Sequence, residues 1–256
     1  MALEFVNVWK HFGDPSGKSL LAIRDVSFKV DEGEFVSVVG PSGCGKSTLL
    51  SMTAGLYHPT QGEVLVSGKR VTGPNPHVGF MLQKDLLLPW RSILANVEFG
   101  LEARSSSRHA RRANAQAELK RCHLEGFADH YPYQLSGGMR QRAALARTLA
   151  IDPEIILLDE PFSALDAQTK LLLQNSFAET IADAGKTTLL ITHDLAEAVL
   201  MSDRIIVLSE RPGQIVAEIK VDLPMRNQPL KRRVMPEVSK YAAQIFDHLH
   251  LAEKTI

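Results

Sequence analysis

The chain of 256 residues carries 29 Lys+Arg against 29 Asp+Glu, a formal net charge of zero. That balance excludes a nucleic-acid binder that neutralises phosphates with a basic excess, and equally an acidic disordered tail. Hydrophobic residues at 45% and charged residues at 23% are the proportions of an ordinary globular domain, and the length is ample for a buried core.

No apolar run approaches the roughly 18 residues that cross a bilayer; stretches such as Ile155 to Leu158 and Thr187 to Ile191 are far shorter. The opening Met1-Ala-Leu-Glu4-Phe-Val has no basic region followed by an apolar one, so no secretory signal is expected. Two cysteines, Cys44 and Cys122, predict a reducing compartment without a disulfide framework. The nine histidines show no metal-ligand spacing, so a structural metal is not expected.

In chain order, Leu3-Glu4-Phe5-Val6-Asn7-Val8 and Val26-Ser27-Phe28-Lys29-Val30 alternate as half-exposed strands. Phe35 to Val39 is continuously apolar, as in a strand buried on both faces, and leads through a glycine-rich turn into a helix over Ser47 to Leu56. Strands are predicted at Glu63 to Ser67 and Val78 to Leu82. From Trp90 to Leu149 the pattern is helical: Ile93, Leu94, Val97 and Leu101 share a face, and Arg108 to Arg121 is rich in good helix formers. This block reads as a helical insertion into an α/β core. The core resumes with a strand at Glu154 to Leu158, a helix over Ala167 to Ala184, a strand at Thr188 to Thr192 and a helix around Leu195 to Met201. Strands at Arg204 to Leu208 and Gln214 to Ile219 complete an alternation that predicts a largely parallel sheet covered by helices. Beyond the proline-marked stretch Leu223 to Pro229, Leu230, Val234, Val238, Tyr241, Ile245 and Leu249 recur at helical steps and predict one packed helix from Leu230 to Leu251.

Gly40, Pro41, Ser42, Gly43, Cys44, Gly45, Lys46, Ser47 and Thr48 match G-x-x-x-x-G-K-[ST] between a buried strand and a helix. The glycines let consecutive amides curl around an anionic oxygen, and the following helix turns its positive end towards it. Lys46 is placed to reach the β and γ phosphates of a nucleotide, and the Ser47 hydroxyl to ligate Mg²⁺. A glycine turn that merely joined strand to helix would not need a lysine followed by two hydroxyls. Cys44 sits at a variable position of this motif as a tolerated side chain, or else as a reactive thiol that nucleotide protects, since a helix N-terminus lowers a thiol pKa.

Ile155-Ile-Leu-Leu-Asp159-Glu160-Pro161 is a buried strand that ends in two acids. Strand C-termini form the ligand crevice of an open parallel sheet, which puts both acids beside the loop. Asp159 is then the outer Mg²⁺ partner, and Glu160 orients or deprotonates the water that attacks the γ phosphate.

Leu135-Ser136-Gly137-Gly138-Met139-Arg140-Gln141-Arg142 resembles the signature sequence of ATP-binding cassette (ABC) proteins. Gln83 matches the Q-loop glutamine, Ser163-Ala-Leu-Asp166 the D-loop and His193 the switch histidine, all in the family's order between Asn7 and Leu208. Without the family, Ser136 is a good N-cap, Gly137 and Gly138 leave amides open, and Ala143, Ala144, Ala146 and Ala150 give the helix a small-residue packing face. The chain thus carries a second helix N-terminus suited to an anion.

The resemblance implies the ABC ATPase fold: a P-loop nucleotidase core of mainly parallel sheet, an N-terminal antiparallel β subdomain and a helical insertion. It divides the chain into a RecA-like core with its β subdomain (1–85 and 151–222), a helical subdomain with the signature (86–150) and a C-terminal linker and helix (223–256). ATP and Mg²⁺ are the implied cofactors. Two copies would sandwich two ATPs head to tail, with Ser136, Gly137 and Gly138 of each closing over the nucleotide of the other and Asp166 contacting the opposite cassette. Gln83 would sense Mg²⁺ and the attacking water and couple them to the insertion, while His193 would bond the γ phosphate. The family also stacks an aromatic ring on adenine in the turn after the first strand; Phe12, before Gly13 and Pro15, is the choice, with Trp9 as rival or strand-end packing residue. Met139 stands where the family most often has Gln, and activity is expected to survive because backbone amides and Ser136 make the phosphate contacts.

The segment Leu86 to Leu101 is unusually apolar for a surface loop, partly insertion core and partly a groove for a short helix of a membrane permease. With Met139, Arg211-Pro-Gly and Val221-Asp-Leu-Pro224, it is similar to ATPase subunits of importers for nitrate, sulfonate, taurine and related small anions. The implied partners are a second copy, a polytopic permease docking near Gln83 to Leu101 and, indirectly, a periplasmic or lipoprotein solute-binding protein, with no nucleic acid. The implied place is the cytoplasmic face of the cell membrane, as a peripheral subunit. A cassette ATPase outside transport and a nucleotide-binding regulator without turnover are the competing readings; the first lacks its usual second cassette or long coiled coil here, and Glu160 with His193 disfavours the second.

Overall fold

A computed structural model of the chain describes residues 1–13, 19–103 and 107–253. Its strands form two sheets. In the first, β1 (Leu3–Gly13) pairs antiparallel with β2 (Ser19–Val30) on one side and with β4 (Gln61–Val66) on the other; β5 (Lys69–Arg70) closes the edge, giving the order β2-β1-β4-β5. The second contains β3 (Phe35–Val39), β6 (Val78–Met81), β7 (Ile155–Asp159), β8 (Thr187–Ile191), β9 (Arg204–Leu208) and β10 (Ile215–Lys220) in the order β10-β9-β3-β8-β7-β6. Its neighbours are parallel from β6 to β9, and only the edge strand β10 runs antiparallel.

The continuously apolar strands supply two cores by alternation. Val36, Val38, Ile155 and Leu157 face a cluster that joins both sheets around helix α1 (Lys46–Thr53), whose Leu49, Leu50 and Met52 are buried within it. Phe35, Val39, Ile156 and Leu158 face the opposite cluster. That second core receives α2 (Ile93–Glu98), α3 (Arg108–Arg121), α4 (Gly137–Ala150), α5 (Ala167–Asp183) and α6 (Leu195–Met201). Burying each large aliphatic side chain of this kind contributes about 2 kcal/mol. Ala143, Ala144, Ala146 and Ala150 of α4 are all buried, so the small-residue face lets α4 lie close against α2, α3 and β6.

Local capping fixes where these helices start. Ser92, Ser107, Ser136, Asp166 and Asp194 sit at the N-caps of α2, α3, α4, α5 and α6, and each side chain accepts a first-turn amide. Helix α1 differs, because it follows Gly45 at φ +106° with no side-chain cap. Its first-turn amides have no side-chain acceptor at the N-cap.

The single tail helix expected from Leu230 to Leu251 is instead two: α7 (Pro229–Arg232) and α8 (Glu237–Glu253). Pro236 is responsible, since it lacks an amide donor and pushes Met235 away from helical geometry. Val234, counted among the packed face, is 82% exposed, whereas Val238 and Ile245 are buried against α6, β9 and β10. Arg232 anchors the break. Only 1% exposed, it donates to the carbonyls of Val199 at 3.0 Å, Ser202 at 2.8 Å and Pro224 at 3.1 Å, and to that of Leu223. A cation at the C-terminal end of α6 is favoured by the helix dipole.

Candidate active site

The end of β3 turns through Gly40 to Gly45 into α1, with Gly43 at φ +79° and Gly45 at φ +106°, conformations that side chains with a Cβ rarely adopt. At Gly45 space is also decisive, because a Cβ would lie 2.5 Å from Ile23 Cδ1. Lys46 Nζ curls back to donate to the Gly40 carbonyl at 2.8 Å and the Pro41 carbonyl at 2.9 Å, so the loop holds its own cation at its centre. Cys44 is 1% exposed, and burial pushes its thiol up despite the nearby Lys46. The suggestion of a helix-activated reactive thiol is therefore overturned, because desolvation outweighs the helix N-terminus.

An open cleft of about 300 Å³ lies along this loop. Lys46, Ser47, Thr48 and Glu160 line one part; Ser42, Gly43 and Gly45 form its floor. Phe12, Leu20, Ala22 and Arg211 supply the rest. Phe12 reaches the cleft, but from within β1, paired with Leu20, rather than from a turn. The hairpin extends further than its alternation suggested, and residues 14–18 of the expected loop lie outside the described residues. The Phe12 ring is half-buried edge-on to Tyr57 at 5.4 Å between centroids. Trp9 pairs within the sheet opposite Gln61, its ring under Arg24, and does not line the cleft.

The two acids at the end of β7 take different surroundings. Ser47 donates its hydroxyl to Asp159 at 3.1 Å, and burial holds the Asp159 carboxyl above its ordinary range. Oxygen donors from a hydroxyl and a desolvated carboxylate match what a small hard cation such as Mg²⁺ requires. Glu160 is held in the left-handed region at φ +47°, its amide bonded to the Ile191 carbonyl at 2.9 Å. Such strain in a non-glycine residue concentrates at functional sites. His193 Nδ1 lies 3.1 Å from Glu160 Oε2.

Gln83 is joined to this acid end through Ser163. Its Nε2 donates to Ser163 Oγ at 3.1 Å, and Ser163 Oγ donates to the Glu160 carbonyl at 2.9 Å. The segment after Gln83 is gripped by α4: Gln141 Nε2 donates to the Gln83 carbonyl, Arg140 pairs with Asp85 at 3.1 Å, and Arg147 donates to the Asp85 and Leu86 carbonyls at 2.7 and 2.8 Å. Buried Asn96 fastens the far end of the segment through both backbone groups of Leu88. These contacts leave Leu86, Trp90 and Phe99 exposed while Leu87, Ile93, Leu94 and Val97 pack inward.

Ser136, Gly137 and Gly138 are not among the cleft-lining residues. They open α4, where the Ser136 hydroxyl accepts from the Met139 amide at 3.3 Å. Gly138 packs closely on α5, where an added Cβ would come within 2.9 Å of Thr169 Cγ2. Asp166 caps α5 by accepting from the Thr169 amide at 3.0 Å. The structure thus puts the loop, Phe12 and Glu160 on one cleft, ties Asp159, His193 and Gln83 to its lining residues through Ser47, Glu160 and Ser163, and leaves the signature and Asp166 out of the lining. Motif reasoning did not foresee Arg211 in the cleft, or Asn96 and Arg147 behind the segment after Gln83, since their partners are backbone atoms or folded loops with no spacing rule.

Residues 23–163 match the family model described as ABC transporter. An uncharacterized ABC transporter ATP-binding protein of Methanocaldococcus jannaschii is 49% identical over 86% of this chain and 82% of its own length. The taurine import ATP-binding protein TauB of Yersinia pestis is 45% identical over 80% of each chain. Among solved structures, a dimeric bacterial ABC transporter cassette superposes with a TM-score of 0.74 at 36% identity, over 86% of this chain and 99% of that one. A dimeric post-hydrolysis cassette bound to ADP and Pi matches with the same TM-score at 35% identity and the same coverage. With its fold, its phosphate loop and its signature in one register, the chain belongs to the ABC transporter family of ATP-binding, ATP-hydrolysing cassettes.

Proposed function

We propose that the chain is the ATPase subunit of a bacterial importer for a small anionic solute of the nitrate, sulfonate or taurine kind. The observation that carries the transport reading is the link from the acid end to an exposed apolar surface. Glu160, Ser163 and Gln83 are hydrogen-bonded in series, and the chain beyond Gln83 presents Leu86, Trp90 at 72% exposure and Phe99. Rings and aliphatic side chains held outward by a hydrogen-bonded frame suit a short amphipathic helix of a membrane permease. Among the described residues no helix is long and apolar enough to cross a membrane. The reading takes the permease to be a separate polytopic protein and this subunit to lie at the cytoplasmic face of the cell membrane. Likeness to the taurine import protein TauB supports an importer of a small solute of that kind; a periplasmic or lipoprotein binding protein would deliver it.

In the proposed mechanism Lys46 exchanges its loop carbonyls for the β and γ phosphate oxygens of ATP, while the uncapped amides of the loop and α1 bind the same chain of phosphates. Ser47, Asp159 and Gln83 would hold Mg²⁺, which would neutralise charge on the phosphate oxygens. Glu160 accepts a proton from water as its oxygen bonds to the γ phosphorus and the bond to the β-phosphate oxygen breaks, giving ADP and phosphate. His193, already beside Glu160, orients that carboxylate and donates to the γ phosphate. Phe12 stacks on the base. Ser136, Gly137, Gly138 and Asp166 act on the nucleotide of a second copy, in keeping with the dimeric assemblies of the two matched cassettes.

Purification of the tagged chain from membranes tests the transport reading. A polytopic permease should accompany the native chain and be lost from a variant with Leu86, Trp90 and Phe99 changed to Ser. Equal recovery from both, or no membrane protein with the native chain, contradicts it.

A further inference from the structure

The cleft along the phosphate loop contains a cation that no motif assigns. Arg211 lines it together with Phe12, Leu20 and Ala22, distant in the chain from Lys46 and Glu160. It is exposed and has no hydrogen-bond or ion-pair partner among the described residues. Its position is nevertheless fixed. Gly213, two residues on, donates to the Ala22 carbonyl at 2.9 Å and accepts from the Arg24 amide at 3.0 Å, bridging to β2 beside Ile23. A Cβ on Gly213 would lie 2.1 Å from the Cys44 carbonyl, so the turn is pressed directly onto the back of the phosphate loop. Ser209 secures the other side through the Gln214 amide at 3.1 Å and the Pro212 carbonyl at 3.2 Å. A guanidinium carried on a clamped turn at the cleft, with its donors free of protein partners, suits phosphate or ribose oxygens.

We propose that Arg211 is a nucleotide-contacting residue that binds the α-phosphate and ribose end of the nucleotide. This rests on the reading of the cleft as the ATP site. The neighbours of Arg211 support it: its turn bonds to Ala22 through Gly213, and Leu20 of the same strand pairs with Phe12, so with the terminal phosphates at Lys46, Ser47 and Glu160 the nucleoside is read as extending towards Phe12, Leu20 and Ala22. Since ADP and ATP share that end, Arg211 contributes equally to both. It adds to affinity rather than to the chemical step, which belongs to Glu160 at the far end.

Binding of MgATP and MgADP to the full-length protein, measured by calorimetry for the native chain, Arg211→Ala, Arg211→Lys and Lys46→Ala, tests this. Arg211→Ala is expected to weaken both nucleotides by about tenfold, the loss typical of a charge-assisted hydrogen bond. KM should rise by a similar factor with kcat within about twofold, and Arg211→Lys should keep part of the affinity. The apo thermal midpoint should not move, because the side chain has no protein partner to lose. Unchanged affinity, a loss confined to ATP, or a fall in the apo midpoint that accounts for the loss overturns the proposal. Lys46→Ala separates the two levels: if it leaves ATP binding intact the site itself is misread, and if it abolishes binding while Arg211→Ala changes nothing, only the role of Arg211 fails.

Discussion

The two glycine-flanked helix starts, at Gly45 and at Ser136, begin from similar sequence logic and reach opposite local solutions. Helix α1 follows a left-handed glycine, has no side-chain cap, and lies over the loop carbonyls that hold Lys46. Helix α4 is capped by Ser136, and its Gly138 is spent on close packing against Thr169 of α5. The first start leaves its donors uncapped beside the cleft; the second is not among the cleft-lining residues, and its Ser136 cap is made. In the proposed function the first end binds the phosphates of its own cleft and the second those of a nucleotide held by another copy.

The largest effects should come from breaking the first end. Lys46→Ala removes the only ammonium among the described cleft-lining residues, and hydrolysis should fall on the order of 10²-fold or more, as for other lost charge-stabilising donors, measured by phosphate release. Glu160→Gln keeps shape but not basicity; hydrolysis should fall by about 10²- to 10⁴-fold while ATP still binds and holds two copies together, seen by sedimentation. Native turnover in that variant would remove Glu160 from the role of base.

Changing the second end should be milder for the fold. Ser136→Ala loses one cap and should cost about 1 kcal/mol in chemical denaturation, leave ATP affinity of the single chain unchanged, and weaken the ATP-dependent dimer. Cys44 sharpens the comparison from inside the first end. Because burial raises its pKa, the thiol stays protonated at neutral pH, and maleimide labelling should be slow with or without ATP, rising only at alkaline pH or on unfolding. Met139→Gln should change hydrolysis by less than about twofold, since Met139 contributes its backbone amide to the cap and its side chain only packs.

Much of this was legible in the residues. Arg108–Arg121, Leu195–Met201 and Arg204–Leu208 coincide with their expected spans because each is set by local composition and a clear cap or turn. The strand, glycine loop and helix around Gly40 to Thr48 are encoded the same way. What escaped depends on contacts distant in sequence. The two-residue strand Lys69–Arg70 exists only by pairing with Leu65 and Val66. Phe12 belongs to a strand because Ser19 to Leu21 return alongside it. Arg211 enters the cleft because Gly213 meets Cys44, a coincidence of two loops. The tail was misread for a different reason: a repeating apolar step outweighed Pro236, although proline has the stronger local effect.

The claim that the two ends complete each other between copies is tested most directly by mixing two defective chains, Lys46→Ala and Ser136→Arg, each inactive alone. One mixed dimer then contains one site with both an intact Lys46 and an intact Ser136, so mixing should restore ATP-dependent dimerisation and a substantial fraction of native hydrolysis. Activity of the mixture no greater than the sum of its parts would contradict a site shared between two chains.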